Sequence, residues 1–225
     1  GQLVLIIHHL AVDAVSWRIL LEDLNIAWAQ HRHDQPVELP ATGTSFARWA
    51  SLLREQARTP AVVKEADSWR RVLATPAALP AVQPEVDTYE TAGHLTASLD
   101  VETTRVLLGE VPAAFRAGIQ DILLIAFGLA LSQFLDTRAT PVGIDVEGHG
   151  RIEDLPDLSA PIDLSRTVGW FTTMYPVALD VGGLRWSAVV AGEPALGPVI
   201  KSAKEQLRAL PDGLTYGLLR YLNPD

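Results

Sequence analysis

Cysteine is absent from this sequence of 225 residues. Disulfide bonds and zinc sites built on thiolates both need cysteine, so the sequence excludes both. Nothing in the composition suggests secretion. We expect a cytoplasmic protein whose apolar residues, which make up 48% of the chain, form a sizeable core.

Positive charge is also scarce. The chain has 18 lysines and arginines against 27 aspartates and glutamates, which gives a net charge of -9. Proteins that bind nucleic acid draw much of their attraction for the phosphate backbone from a basic face. The sequence therefore predicts that nucleic acid is not a partner.

Long apolar runs are missing as well. The longest, residues 122–131, is far shorter than the roughly 20 residues that a transmembrane helix needs. We therefore expect no membrane span.

Short apolar runs and helical periodicity are present and alternate along the chain. Residues 3–7 form a continuous apolar run, which predicts a strand buried on both faces. Asp13 is a good helix N-cap, and the helix predicted after it has one apolar stripe, the part of such a helix that faces the core. The stripe consists of Val15, Trp17, Leu20, Leu21, Leu24 and Trp28.

Further elements follow from the same criteria. We expect helices over residues 44–58, 61–73, 100–112, 119–135 and 194–210, and strands over residues 94–99, 141–146 and 174–181. The helix over 119–135 is apolar nearly all round, which predicts that it is buried. Residues 75–87 contain three prolines and no periodicity, which indicates a boundary between lobes. The alternation of strands and helices favours an α/β architecture with two lobes.

The string HHLAVDA, residues 8–14, places two imidazoles and a carboxylate directly after the first predicted strand. Successive strand residues point to opposite faces, so only one of His8 and His9 can face a given cleft. Three interpretations stay open. Both histidines could be hydrogen-bonded residues at a strand end; they could bind a metal with Asp13, although adjacent strand residues diverge; or one could be a general base.

Glycine-containing strings supply further candidates. EGHGR, residues 147–151, puts Glu147 at a strand end, where open α/β sheets often place functional side chains, and its glycines allow a ligand to approach closely. TVGWFTTMYPV, residues 167–177, and LTYGLLRYL, residues 214–222, put aromatic side chains near glycine. Taken singly, the first string also fits a solvated turn, and the other two also fit core packing.

Taken together and in this order, four strings resemble the epimerization domains of nonribosomal peptide synthetases, members of the condensation-domain superfamily. The strings are HHLAVDAVSWRILLEDL, EGHGR, DLSRTVGWFTTMYPV and YGLLRYL. HHxxxDG alone is typical of the whole superfamily, whereas VSWRILLEDL with EGHGR and RTVGWFT is typical of the epimerizing subtype. Such domains are about twice as long, so we expect an internal piece. Residues 1–80 would be the C-terminal part of the first lobe, and residues 81–225 the front part of the second.

The resemblance implies an α/β fold of the chloramphenicol-acetyltransferase type, with two lobes facing each other across a tunnel and incomplete here at both ends. A carrier protein inserts its phosphopantetheine arm into the tunnel, and the α-carbon of the aminoacyl or peptidyl thioester on that arm is inverted from L to D. The upstream peptidyl carrier protein and adjacent synthetase domains are the implied partners. No metal and no directly bound cofactor are implied, because the phosphopantetheine belongs to the carrier.

The resemblance also implies residue roles. His9 and Glu147 are the implied catalytic pair, without indication of which acts on which stereoisomer. His8 is implied as buried support, Asp13 as the structural partner of an arginine, and Arg151 as a residue that holds Glu147 ionised or contacts the substrate. The residues implied to line the tunnel or bind substrate are Ala14, Gly148, His149, Gly169, Trp170 and Tyr216.

One position departs from the motif, because its usual glycine is Ala14 here. Alanine would cost roughly 1 kcal/mol or more at a positive φ but nothing as the first residue of a helix, and we expect the second case. Two other functions stay open. A condensation domain that forms peptide bonds would keep His9 without needing Glu147, and a catalytically inactive remnant would only dock a carrier protein.

Overall fold

The computed structural model of the chain describes residues 1–76, 79–137, 140–155 and 161–224. Its helices and strands are α1 (Ala14–Arg32), α2 (Phe46–Gln56), α3 (Pro60–Val63), α4 (Ala66–Leu73), α5 (Val101–Leu108), α6 (Glu110–Phe115), α7 (Ile119–Phe134), β1 (Val142–Gly148), β2 (Thr173–Leu179), α8 (Trp186–Val190), α9 (Leu196–Arg208) and α10 (Gly213–Gly217). A 3₁₀ turn, His9–Ala11, precedes α1, and a π-helical turn, Leu218–Leu222, follows α10. The two strands pair in one sheet.

Three helices begin at side-chain caps that the sequence makes recognisable. Asp13, Ser45 and Asp100 each accept the backbone N–H of the residue three positions further on, at 2.7, 3.2 and 2.7 Å. Each cap satisfies a backbone donor that has no partner within the helix. The predicted starts of α1 and α5 are therefore confirmed.

Two predicted helices are each divided in two. The helix expected over 61–73 is α3 and α4, and the helix expected from residue 100 breaks at Gly109 and resumes as α6. Pro112 lies in the first turn of α6, where a missing N–H costs nothing. The chain therefore continues helically three residues beyond the proline at which we expected it to end.

Two predicted strands are wrong. Residues 3–7 and 94–99 have no regular secondary structure, and Ile6 in the first of these is 91% exposed. An apolar run becomes a strand only when neighbouring strands satisfy its backbone groups and cover its faces. Within the described ranges, the only sheet is the pair β1 and β2, so neither segment has a strand beside it.

The buried face of α1 also differs from the predicted stripe. Ser16 and Ile19 are its buried residues, whereas Leu21, Leu24 and Trp28 are exposed. Helical periodicity locates an apolar face but does not say which neighbours cover it. The fully buried residue at the start of the helix is a serine, and its hydroxyl has partners elsewhere in the fold.

The described chain forms two compact units that interleave along the sequence. Unit 1 contains Gly1–Asp67, Val146–Tyr175 and Asp212–Asp225, and unit 2 contains Ser68–Asp145 and Pro176–Pro211. The predicted lobes, 1–80 and 81–225, refer to the complete family fold, and that division stays a prediction. The described residues of the 75–87 stretch contain no helix or strand, while residues 77 and 78 lie outside the description.

Unit 1 has an apolar core built around α2. One cluster of buried residues consists of Trp49, Leu52, Ile162, Leu164 and Phe171. A second consists of Ala57, Val62, Leu214 and Leu218. Burial of these large apolar side chains is the main favourable contribution to this unit's stability. The clusters also hold in place the segment of residues 161–175, which follows EGHGR in this unit.

In unit 2, α7 packs against α9 and against residues at the end of β2. The prediction that α7 is buried all round is wrong, because Leu123, Phe127 and Phe134 are exposed. Its covered face includes Gly128, where an added Cβ would lie 3.1 Å from the side chain of Leu179. The small residue therefore allows close packing at this point.

No single helix in the described ranges is both long and apolar enough to cross a membrane. Residues 101–115 with 119–134 reach that length and composition only as a pair bent by 97°.

Candidate active site

The candidate site lies in unit 1 and begins where the chain enters α1. Asp13 is only 7% exposed, and its carboxylate caps the helix. Ala14 is the first helical residue, lies on the surface and is not among the residues with positive φ. The expectation that alanine replaces glycine here without backbone strain is confirmed.

Arg151, the last residue of EGHGR, forms a two-pronged ion pair with Asp13. Its Nε donates to Oδ2 at 3.2 Å and its Nη2 to Oδ1 at 2.9 Å, with about a tenth of each side chain exposed. The guanidinium also donates to the carbonyls of Leu164 and Thr167, both at 2.8 Å, and to the Ser16 hydroxyl at 3.1 Å. Asp13 is thus paired with an arginine, as the resemblance implied.

The same geometry corrects the implied role of Arg151. A guanidinium has five N–H donors, and all five are used by Asp13, Ser16 and the two carbonyls. None is left for Glu147 or for a substrate. Its plane also lies over the Phe171 ring, 4.1 Å from the centroid, which fixes the side chain further.

The ionisation of Asp13 follows from these contacts. Burial raises the pKa of the Asp13 carboxyl, but the hydrogen bonds from Arg151 and from the Ser16 N–H, with the positive charge of Arg151, lower it more. The net result is a pKa below the ordinary value of 3.8. An ionised carboxylate whose two oxygens are both engaged is a structural anion and a poor proton acceptor.

His9 is the first residue of the 3₁₀ turn that precedes α1, and His8 is the residue just before that turn. His8 is exposed, and its Nδ1 accepts the N–H of Leu10 at 3.1 Å, so the implied role as buried support is wrong. The resemblance implied burial, but residues 3–7 before His8 form no strand and Ile6 among them is 91% exposed. His9 is exposed too, and its ring meets the edge of the Trp170 ring, with centroids 5.4 Å apart and planes at 64°.

Glycine is required within EGHGR at Gly150. Its φ is +66°, and a Cβ at this position would overlap the carbonyl oxygen of Phe171. The N–H of Arg151 donates to Nδ1 of His149 at 3.0 Å, so that imidazole braces the turn from its exposed side. The turn brings the EGHGR backbone directly against the start of β2 and directs Arg151 towards Asp13.

A cavity of about 480 Å³ opens beside this turn, within the size range of small-molecule sites. It is lined by Phe46, Trp49, Ala50, Leu53, Glu147, Gly150, Trp170, Phe171, Thr172, Thr173, Met174, Leu214, Gly217, Leu218, Tyr221 and Leu222. Among these residues Glu147 alone is charged. The cavity is therefore largely apolar, and its one charged residue, Glu147, is exposed.

The structure brings some of the predicted site residues together at this cavity. Trp170 and Glu147 line one cavity, and Trp170 contacts His9. Tyr216, by contrast, is not among the lining residues; Tyr221, from the same string, is. Ala14, Gly148, His149 and Gly169 do not line the cavity either. No group of three or more side chains suited to hold a metal is found in the described parts of the chain.

Sequence reasoning missed Ser16. Its hydroxyl is fully buried, donates to the Gly169 carbonyl at 2.8 Å and accepts the Gly169 N–H at 2.9 Å. The one signal for it was a small polar residue three positions after the helix cap, next to an apolar stripe. That signal does not reveal the partner, which is 153 residues away in the sequence.

Comparison with known proteins places this geometry in a family. The family model described as the condensation domain matches residues 1–222. A linear gramicidin synthase protein of Brevibacillus parabrevis is 43% identical over all of this chain, which is 4% of that protein's length. Surfactin synthase subunit 1 of Bacillus subtilis (strain 168) is 40% identical over 98% of this chain and 6% of its own length.

Solved structures agree. The epimerization domain from the third module of tyrocidine synthetase B matches with a TM-score of 0.76 and 36% identity, over 97% of this chain and 48% of that one. The first condensation domain of the calcium-dependent antibiotic synthetase, at 18% identity and a TM-score of 0.62, shows the same fold. The chain spans about half of each solved domain. These matches confirm the resemblance and the fold class that the motifs implied, and the chain belongs to the condensation-domain family.

Proposed function

We propose that this chain is part of an epimerization domain of a nonribosomal peptide synthetase. The complete domain converts the α-carbon of an aminoacyl or peptidyl thioester between L and D. The substrate is held by the phosphopantetheine arm of an upstream carrier protein, and adjacent synthetase domains are the other partners. The domain itself binds no cofactor and no metal, and it acts in the cytoplasm.

The chemistry needs two proton-transfer groups. A thioester makes the neighbouring α C–H more acidic because its carbonyl oxygen can accept the negative charge of an enolate. A positioned base contributes roughly 10²- to 10⁴-fold to removal of that proton. Inversion then requires return of a proton to the opposite face, which a second group supplies most simply. We assign these two functions to His9 and Glu147.

The observation that best supports this assignment is the position of Glu147. Glu147 is the one charged residue among those that line a largely apolar cavity. The rim of this cavity includes Trp170, whose ring contacts His9. Glu147 itself is exposed, so a substrate that enters the cavity can reach its carboxylate. The 36% identity to an epimerization domain over nearly the whole chain supports the same assignment.

The neighbouring charged residues support it by elimination. Asp13 and Arg151 neutralise each other, and every N–H of Arg151 is used within the fold. Neither is available for proton transfer. The ion pair instead fixes the EGHGR turn to the start of α1. His9 lies in the 3₁₀ turn just before this helix.

The test uses the complete domain with its upstream carrier protein, loaded with an L-aminoacyl group. Chirality of the released amino acid is followed for the parent, His9→Ala and Glu147→Gln. We expect each variant to lose at least about 10²-fold in rate, the lower bound for general acid–base catalysis. Exposed His94→Ala and Glu193→Gln are the matched controls and should retain the parent rate. Parent-like racemisation by both site variants would refute the assignment.

A condensation domain is the second candidate, because several solved relatives are condensation domains. Such a domain would use His9 in peptide-bond formation and would not need Glu147. In an assay with loaded donor and acceptor carriers, it would form dipeptide at the parent rate in Glu147→Gln. A remnant that only docks would bind the carrier and leave the L-aminoacyl group unchanged.

A further inference from the structure

Ser16 is fully buried, although it is a polar residue in the first turn of α1. A serine in a helix commonly turns its hydroxyl to solvent or donates it to the carbonyl three or four residues earlier. Here the hydroxyl points away from its own helix and reaches Gly169, in the segment before β2. The residue therefore joins two parts of unit 1 that are remote in sequence.

The hydrogen-bonding capacity of this hydroxyl is completely used. Its single O–H donates to the Gly169 carbonyl at 2.8 Å, while its oxygen accepts the Gly169 N–H at 2.9 Å and an Arg151 N–H at 3.1 Å. Alanine would leave two buried N–H donors and one carbonyl without this partner. No other standard side chain of this size offers a comparably strong donor and acceptor at one atom.

Hydrogen bonds and close packing fix the backbone of Gly169. Its carbonyl also accepts the N–H of Asp13 at 3.1 Å, so both of its polar groups are bonded to the start of α1. A Cβ at this position would overlap the ring of Phe46. The peptide is thus fixed between the N-terminus of α1 and a ring of α2, which leaves the next residue little freedom.

That next residue is Trp170, whose ring contacts His9 and lines the cavity that contains Glu147. We propose that Ser16 is a positioning residue: by fixing Gly169 it holds the Trp170 ring against His9 and so sets the direction of the imidazole. This inference rests on the proposed function, in which His9 transfers a proton. Ser16 itself touches neither the substrate nor the reacting atoms.

The test is a double-mutant cycle in the complete domain with its loaded carrier. Ser16→Ala should lower kcat for inversion by up to roughly 10²-fold, as expected for a misplaced catalytic group, with KM for the carrier changed less than twofold. If Ser16 acts through Trp170, Trp170→Ala should lower kcat to a similar level, and Ser16→Ala should add little further loss in that background. Losses that multiply in the double variant would overturn the proposal, as would an unchanged kcat in Ser16→Ala.

Two further variants separate positioning from folding. Ser51→Ala removes an exposed helical serine whose hydroxyl bonds only within α2, and it should leave kcat unchanged. Should Ser16→Ala not fold, Ser16→Cys replaces it, because the thiol has a similar shape but makes much weaker hydrogen bonds. Ser16→Cys should then show the same fall in kcat with KM retained, and a parent-like kcat would contradict the proposal.

A crystal structure of the Ser16 variant gives a readout that does not depend on the reaction. The proposal expects the His9 and Trp170 ring centroids, 5.4 Å apart in the parent, to separate or become disordered. Rings that keep their place would refute it. If the parent domain shows no inversion at all, the proposed function fails, while this structural comparison still decides whether Ser16 positions the two rings.

Discussion

Residue Arg151 shows how far single positions can be understood from sequence. The motif implied that Asp13 pairs with an arginine, and the structure identifies the partner 138 positions away. It could not be chosen from spacing, because the pairing depends on the EGHGR turn and on two carbonyls, of Leu164 and Thr167. A planar fork with five donors fits this arrangement and an ammonium group does not.

Arg151→Lys is therefore expected to be strongly destabilising. Lysine keeps the positive charge but has only three donors at one atom, so several buried acceptors, including part of Asp13, lose their partners. We expect the free energy of unfolding of the complete domain to fall by about 3 kcal/mol or more, as when a buried ion pair is broken. Urea unfolding measures this. Arg105→Lys, in an exposed pair with Glu102, is the control and should change little; equal effects would contradict the account.

The pKa of Asp13 gives a second prediction at this scale. Because its folded-state pKa lies below the ordinary 3.8, the carboxylate contributes stability that is complete above pH 3.8 and is lost as the pH falls through the lower folded value. Asp13→Asn keeps the helix cap but removes the charge. The stability difference between parent and variant should shrink as the pH is lowered from about 5 towards 2. A difference that stays constant over this interval would count against the ion pair as its origin.

At the scale of elements, the predictable features are those set by local chemistry. Asp13 and Asp100 cap helices where the sequence places them, and β1 and β2 lie close to their predicted ranges. Residues 3–7 and 94–99 fail as strands because a strand depends on neighbours that periodicity cannot supply. The same limit applies to α1, since its covered face is set by its packing partners.

The EGHGR turn allows a matched test of backbone geometry. Gly150 and Gly192 have nearly the same positive φ, +66° and +64°, but a Cβ would overlap the Phe171 carbonyl at the first and meet nothing within 4 Å at the second. Alanine at Gly192 should cost about 1 kcal/mol of unfolding free energy from φ alone. Alanine at Gly150 should cost clearly more, because the backbone must also move. Equal costs in thermal or urea unfolding would show that the close approach to Phe171 does not matter.

At the scale of the whole molecule, the main feature is exposed apolar surface. Leu21, Leu24 and Trp28, spaced three and four residues apart on α1, form one exposed stripe. The chain spans 48% of the solved epimerization domain that it matches. The sequence predicted the apolar character of this stripe correctly but not its exposure, since coverage depends on what packs against it.

Residues 1–225 produced alone are therefore expected to associate. Contiguous apolar surface of this kind favours contacts between copies. Sedimentation velocity should show a weight-average mass that rises with concentration, and glutamine at Leu21, Leu24 and Trp28 together should reduce that rise. Glutamine at Val86, Leu95 and Leu108, which are exposed in separate segments, is the control and should reduce it less. A monomer at all concentrations would contradict this expectation.

For the candidate site as a whole, the sequence motifs name residues but do not give the contacts among them. The motifs named His9, Glu147 and Trp170 as candidates. Glu147 and Trp170 line a cavity whose apolar wall comes mostly from α2 and the π-helical turn, and His9 contacts Trp170. Those contributions become visible only when segments far apart in sequence meet. The catalytic roles of His9 and Glu147 are our proposal. They predict that the hydrogen on the substrate α-carbon exchanges with solvent.

The most direct measurement is deuterium uptake at the substrate α-carbon. The complete domain is mixed in deuterated buffer with carrier protein bearing an L-aminoacyl thioester, and the released amino acid is analysed by mass spectrometry. Our account predicts incorporation of one deuterium together with D-amino acid in the parent, and a large loss of both in Glu147→Gln. Full carrier binding without deuterium uptake in the parent, or uptake unchanged in Glu147→Gln, would contradict it.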